Sequence, residues 1–309
     1  MYNGRDRIIE IDLKNYEVVL LGHFAIDNDV VNGVEKEVTG SAVYHGAFAL
    51  KAIGTRVAIV TKLAKKDFHL LSIFEDAGIT VFPTESEETT GIRNVYSTDD
   101  PDNRRSYFMR SAGPFCEKDY PTNLNAKVIH IASLMQKEVP VKMIKKLSKI
   151  ADLSIDVQGF MRTKEENNLI LKDWKEKEEI IPYLKYLKAD IAEATILTGT
   201  SDLYKAAKIL AQLGAKEIML THKEGVLLYT NGEFYQASFS PKSLKGRSGR
   251  GDTCISTYIG KRFSLESYPA LCYAAALTTL KLEKEGPFKG NIEEVEALVK
   301  KQNKKQILI

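Results

Sequence analysis

The chain has 309 residues, 44% of them hydrophobic and 28% charged, enough for one large α/β domain or two ordinary ones around a sizeable core. Forty-four basic residues stand against 41 acidic ones, a balance that argues against a dedicated nucleic-acid or polyanion binder. Cys116, Cys254 and Cys272 are dispersed with no CxxC or Cys/His cluster, Met1–Lys14 has no signal-peptide core, and no run of about 18 apolar residues occurs; a disulfide framework, a structural zinc site and a membrane span are disfavoured, and a cytoplasmic protein is expected.

In chain order, a strand is expected over Glu17–Gly22, then a hairpin across Asp29–Val38, where Asn32-Gly33 is a tight-turn signal. A helix over Ser41–Ile53, a strand over Val57–Thr61 and a helix over Lys66–Ala77 follow. Thr89–Ser97 and Arg104–Arg110 flank the turn-rich Asp99-Asp100-Pro101-Asp102-Asn103 and predict a second hairpin. Beyond it come strands at Val128–Ile131, Leu153–Asp156, Ile191–Ala192 and Glu217–Thr221, interleaved with helices at Val141–Ile150, Ile180–Leu187 and Leu203–Leu213. Alternation of this kind predicts an α/β fold with a mostly parallel sheet covered by helices on both faces. The lysine-rich stretch Lys172–Lys188 also carries glutamates and reads as solvated surface. No linker divides the chain, so one domain over residues 1–309 is expected. The two hairpins, about 28–38 and 89–110, are expected to form a small antiparallel sheet acting as a lid; the alternative is that they extend the core sheet.

The most informative stretch is Gly246-Arg-Ser-Gly249-Arg-Gly251-Asp252-Thr253, followed by a helical pattern. Its spacing imitates a phosphate loop, but Asp252 stands where that loop has lysine. Glycines at 249 and 251 let backbone approach an anion, and the helix start presents unpaired N–H groups. Asp252 is placed either to accept the proton of an attacking hydroxyl or simply to cap the helix. Arg247 and Arg250 beside the glycines favour phosphate.

Gly246–Asp252 resembles the D-T-x-G-A-G-D signature of the ribokinase-like, or PfkB, carbohydrate kinases, with the G-x-G-D half intact and Gly246, Arg247 and Arg250 replacing the Asp, Thr and Ala. The resemblance implies a three-layer α/β/α fold, ATP and Mg²⁺ as cofactors, Asp252 as general base and an anion hole over Gly249, Arg250 and Gly251. Gly22-His-Phe-Ala-Ile-Asp27 is similar to the family's G-x-x-x-x-D, which implies that Asp27 grips substrate hydroxyls. Gly40-Ser41-Ala-Val-Tyr-His45-Gly-Ala47 resembles the family's G-G-x-x-x-N-x-A, with Ser41 for the second glycine and His45 for the substrate-contacting asparagine. Asp190-Ile-Ala-Glu193 resembles N-x-x-E, implying that Glu193 orders metal-bound water and that Asp190 lies beside the nucleotide. Thr221-His-Lys-Glu-Gly225 resembles a nucleotide segment. Ala274-Ala275-Ala276 and Glu285-Gly286-Pro287 fall where the family shapes an adenine pocket, although helix packing explains the alanines equally well.

Asp156-Val-Gln158-Gly159-Phe-Met-Arg162 follows a strand, where open α/β sheets bind ligands. Gln158 and Arg162 are therefore candidate substrate contacts, and the pattern resembles the inositol-kinase-type branches of the family. Arg93, Asn94, Tyr96 and Arg105 fall on the lid hairpin as further candidates. The expected activity is phosphorylation of a hydroxyl on a small sugar, sugar acid or cyclitol, myo-inositol among them. A nucleoside kinase, for which Tyr96, Tyr107 and Phe108 would supply stacking, and a non-catalytic sensor on a degenerate kinase fold are the alternatives. The partner is a small molecule, without nucleic acid or membrane, and a homodimer is compatible with the lid.

Overall fold

In the computed structural model, which describes residues 14–96 and 104–306 (side chains through 301), β1 (Lys14–Leu21) sits deep in a nine-stranded sheet. Its alternation sorts the core: Val19 and Leu21 join one apolar cluster, Val18 and Leu20 another on the opposite face. The remaining strands are β2 (Ala25–Val31), β3 (Val34–Gly40), β4 (Val57–Ala64), β5 (Thr80–Ser86), β6 (Gly91–Tyr96), β7 (Arg104–Arg110), β8 (Leu124–Ile131), β9 (Asp152–Asp156), β10 (Arg162–Glu165), β11 (Asn168–Leu171), β12 (Leu184–Asp190), β13 (Glu217–His222), β14 (Gly225–Thr230) and β15 (Glu233–Ser238). The helices are α1 (Ala42–Ala52), α2 (Ser72–Glu75), α3 (Val141–Leu147), α4 (Gln158–Met161), α5 (Lys177–Ile180), α6 (Ile191–Thr198), α7 (Leu203–Gln212), α8 (Arg250–Lys261), α9 (Ser267–Leu282) and α10 (Ile292–Gln306).

The large sheet runs β15-β14-β13-β12-β9-β8-β1-β4-β5, parallel from β13 to β5, with β14 and β15 added antiparallel. Helices α3, α6 and α7 pack on one face, while α1, α8 and α9 pack on the other. This is the three-layer ribokinase-like architecture, and it brings the carboxyl ends of β9, β12 and β13 beside the start of α8. Among the described residues no helix is long and apolar enough to cross a membrane.

The second sheet has six strands in the order β10-β11-β7-β6-β2-β3, antiparallel except for the β2–β6 pair. It is a separate sheet rather than an extension of the core. Its first turn holds Asn32 at φ 51° and Gly33 at φ 77°, the left-handed pair that a two-residue hairpin requires. The turn expected at Asp99–Asn103 lies outside the described residues. A third hairpin, β10/β11, widens the sheet beyond the two expected from sequence.

One stretch reverses its expected assignment. Ile180–Leu187 is not a helix: α5 ends at Ile180, a tight turn spans Ile181–Tyr183, and β12 begins at Leu184. Ile191–Ala192 is not a strand but the first turn of α6. The cause is that β12 lies inside the sheet with Leu184, Tyr186, Leu187 and Ala189 all buried. A strand covered on both faces loses the alternation that identifies it.

Candidate active site

Asp252 lies in the first turn of α8, and the capping residue is Gly249, at φ 77° and without a side chain to offer. Aspartate is thus freed from the capping role. Its carboxylate lines a polar cavity of about 190 Å³, together with Tyr96, Arg104, Asp156, Gln158, Lys188, Asp190, Thr221, Arg247, Ser248 and the 249–251 backbone. Burial, followed by the charge of Asp156, raises its pKa to about 6. It therefore remains largely ionised at neutral pH while being more basic than an exposed aspartate.

The glycines are required by contact. A Cβ on Gly249 would strike the imidazole of His45, and one on Gly251 would come within 2.9 Å of the Lys188 Nζ. Gly249→Ala is expected to destabilise the fold by about 1–2 kcal/mol from its left-handed backbone alone, and further by displacing His45. A thermal midpoint equal to the parent's would contradict this packing.

Lys188, absent from the sequence reading as a site residue, anchors the floor. It sits at the end of β12, 5% exposed, with Nζ 2.9 Å from the Asp156 carboxylate and 3.7 Å from that of Glu193. Burial pulls its pKa down, but Asp156, Glu193 and the neighbouring Asp190 and Asp252 more than reverse this and keep it charged. Burial raises Glu193 against the opposing pull of Lys188. The distances reconcile the two directions: Asp156 is the lysine's close partner, and Glu193 is the less compensated acid. Glu193 also accepts the Asp190 backbone N–H at 2.7 Å, while Asp190 accepts that of Glu193 at 2.8 Å, closing a capping box on α6. The second Glu193 oxygen, Oε1, is buried with no hydrogen-bond partner.

Within electrostatic reach of Arg104, Asp27 accepts the Ile92 N–H at 2.9 Å, and burial lifts its pKa to about 6. Gly40 is needed beside it, because a Cβ there would overlap the Asp27 carboxylate. Ser41 holds φ 106° and accepts the Tyr44 N–H at 3.3 Å as the cap of α1. A non-glycine residue in that conformation carries strain, which is the physical reason a second glycine suits this position. His45 is buried against Gly249, and burial, then Lys281, keeps it neutral. Arg162 is enclosed, its pKa drawn down to about 10 by burial and then by Arg104.

The structure therefore gathers Tyr96, Gln158, Asp190, Thr221, Arg247, Gly249, Arg250, Gly251 and Asp252 around one cavity. Asp27, Gly40, Ser41, His45, Glu193 and Arg162 lie outside its lining; Glu193 lies behind Lys188, His45 packs against Gly249, Asp27 and Arg162 sit within electrostatic reach of Arg104, and Gly40 and Ser41 adjoin Asp27. Five candidates fall elsewhere. Asn94 donates to Asp29 and accepts from Ser106, and Arg105 is exposed on β7. Arg93 pairs with Glu35 at 3.3 Å on the surface of the small sheet. Gly225 faces the Ala237 carbonyl, which leaves no space for a Cβ, and Ala275 is fully buried in the core around α9. Arg104, Asp156, Lys188 and Ser248 are cavity residues that the sequence analysis did not place in the site. Arg104 had no signal beyond its hairpin. Lys188, the last residue of an apparent lysine-rich surface, was detectable only by recognising β12.

The chain belongs to the pfkB family of carbohydrate kinases, whose family model matches residues 8–294. It is accordingly a kinase with a ribokinase-like fold, a phosphotransferase that acts on an alcohol group. A pyrophosphate-dependent kinase of the ribokinase family, solved with a pyrophosphate analog and myo-inositol, is 35% identical with a TM-score of 0.84, the match covering 91% of this chain and 99% of that one. A sulfate complex of a pyrophosphate-dependent kinase in the same family is 37% identical with a TM-score of 0.85 over the same shares. The cytidine kinase of Thermococcus kodakarensis is 28% identical over 251 residues, 76% of this chain and 84% of that protein. The ribokinase of Arabidopsis thaliana, solved with ribose and ATP, is 18% identical with a TM-score of 0.70 and shares the fold.

Proposed function

We propose that the protein transfers a phosphoryl group from pyrophosphate to a hydroxyl of a cyclitol such as myo-inositol. The observation that carries this reading is the Asp252 carboxylate, opening into a cavity where Asp156 is paired with Lys188 and Asp190 caps α6, and whose walls also present Arg104, Arg247, Arg250 and the glycine loop. A carboxylate that, among the described residues, is committed to neither a salt bridge nor a helix cap, and is set among phosphate-binding cations, suits in-line transfer to an alcohol. The hydroxyl proton goes to Asp252, and the loop amides and arginines hold the charge spread over the phosphoryl oxygens. Asp27 and Gln158 accept hydrogen bonds from the polyol, and Tyr96 and Arg104 on the small sheet exclude competing water, the lid role.

Pyrophosphate is favoured over ATP because the cations are concentrated in a small polar space, while Gly225 and Ala275, candidates for nucleotide contact, are occupied in packing. Kinship with the pyrophosphate-dependent kinases supports the same donor. Family membership keeps ATP as the second reading. The cytidine kinase relative, with Tyr96 in the cavity, supports a nucleoside as the second acceptor. Among the described residues no cluster of three or more His, Cys, Asp or Glu could hold a metal alone. Mg²⁺ would be held mainly through water and donor oxygens. The unpartnered Glu193 Oε1 is suited to order that water, and the ion would supply neutralisation of phosphate charge.

Initial rates with pyrophosphate or ATP against myo-inositol, ribose and cytidine test the assignment. Pyrophosphate with myo-inositol should be faster by about tenfold or more, roughly 1.4 kcal/mol of barrier; ATP with cytidine leading the panel would overturn it. With acceptor saturating, kcat should also rise through about pH 6 toward neutral pH, since Asp252 accepts a proton only above its pKa of about 6. A kcat independent of pH across that range would remove Asp252 as the base.

A further inference from the structure

The Lys281 side chain, on the last turn of α9, is 2% exposed and reaches back to the anion-binding loop, donating to the carbonyl oxygens of Gly246 and Ser248. Two further contacts clamp that loop to α9. The Gly246 N–H donates to the Leu282 carbonyl at 2.8 Å, and a Cβ on Gly246 would collide with the carbonyls of Lys284 and Lys281. In a trans peptide the C=O and N–H of one unit point in opposite directions. Carbonyls turned toward Lys281 therefore turn the N–H groups of Arg247 and Gly249 away from it. A cation on the carbonyl side also polarises those N–H groups into stronger donors.

We infer that Lys281 is a positioning residue for phosphoryl transfer, its tethered ammonium doing for the loop what a bound monovalent cation would do. This rests on the kinase reading above and goes beyond it: the native chain needs no added monovalent cation, and removing the ammonium creates that need. The ammonium is faced by Asp252 from α8 and by the buried His45 imidazole from α1. Burial pulls its pKa down to about 8, against the opposing charge of Asp252.

The test is the turnover of Lys281→Met at saturating donor and acceptor in tetramethylammonium chloride, then with ammonium chloride added. Losing the support of the loop donors should lower kcat by about 10–100-fold, less than the loss of a donor itself. Ammonium should restore part of it saturably, while the native chain is indifferent to the exchange. A variant as active as the native chain, a folded variant that no small cation rescues, or a native chain strongly stimulated by ammonium would each overturn the inference. If the variant does not fold, the native kcat decides: it should fall above about pH 8 as Lys281 loses its proton, and a flat alkaline profile would overturn the role. A native chain with no phosphoryl transfer at all would instead defeat the kinase reading.

Discussion

Asp252→Asn is expected to lower kcat by about 10²–10⁴-fold, the usual contribution of a positioned general base, with the fold intact. Asparagine preserves the shape but cannot take the hydroxyl proton. Asp252 lies in the first turn of α8 with Gly249 as the cap, so its replacement removes no capping bond. Donor affinity should hold or improve, because a negative charge leaves the cavity that receives phosphate. Steady-state kinetics separate these outcomes: a large fall in kcat with an unchanged or lower donor KM is expected. A rise in KM alone would make Asp252 a binding residue, and near-parental turnover would place the base elsewhere.

Lys188→Met is the second large effect, and it is an effect on stability. The ammonium is enclosed between Asp156 and Glu193, which are 4% and 1% exposed. Removing it leaves two buried carboxylates without their cation, and breaking a buried pair this way costs about 3–5 kcal/mol. The sign with pH follows from the unpaired acids. Without the lysine, burial raises Glu193 unopposed by its main counter-charge, so the variant must bury that charge at high pH and is relieved as pH falls and Glu193 protonates. Thermal unfolding of variant and parent at two pH values reads both the size and the sign. A loss below about 1 kcal/mol, the scale of an exposed pair, would mean that the cluster is open to water.

Much of this arrangement could be read from residues alone, and the failures share a physical cause. Local signals were sufficient where chemistry is local. Asn32-Gly33 marks its hairpin through backbone conformation, and Gly246, Gly249 and Gly251 mark a loop where a Cβ at any of the three would strike a neighbour. Signals failed where partners are distant in sequence. Helical spacing at Ile180, Leu184 and Leu187 concealed β12, an interior strand buried on both faces, and with it Lys188. The β10/β11 hairpin has strands of only four residues each, too short for periodicity to show. Lys281 sits in a helix of otherwise small and apolar residues, and its partners are backbone carbonyls more than thirty residues upstream. Lysine–carbonyl contacts leave no sequence pattern. Arg93, by contrast, had the right hairpin but the outer face, where Glu35 pairs with it.

The most direct test of the central claim is ³¹P NMR of the native chain with Mg²⁺, pyrophosphate and myo-inositol, run beside Asp252→Asn. A new phosphomonoester resonance split by a ring proton should grow with orthophosphate in equal amounts and be absent from the variant. Orthophosphate alone, or a monoester formed equally by both proteins, would contradict it.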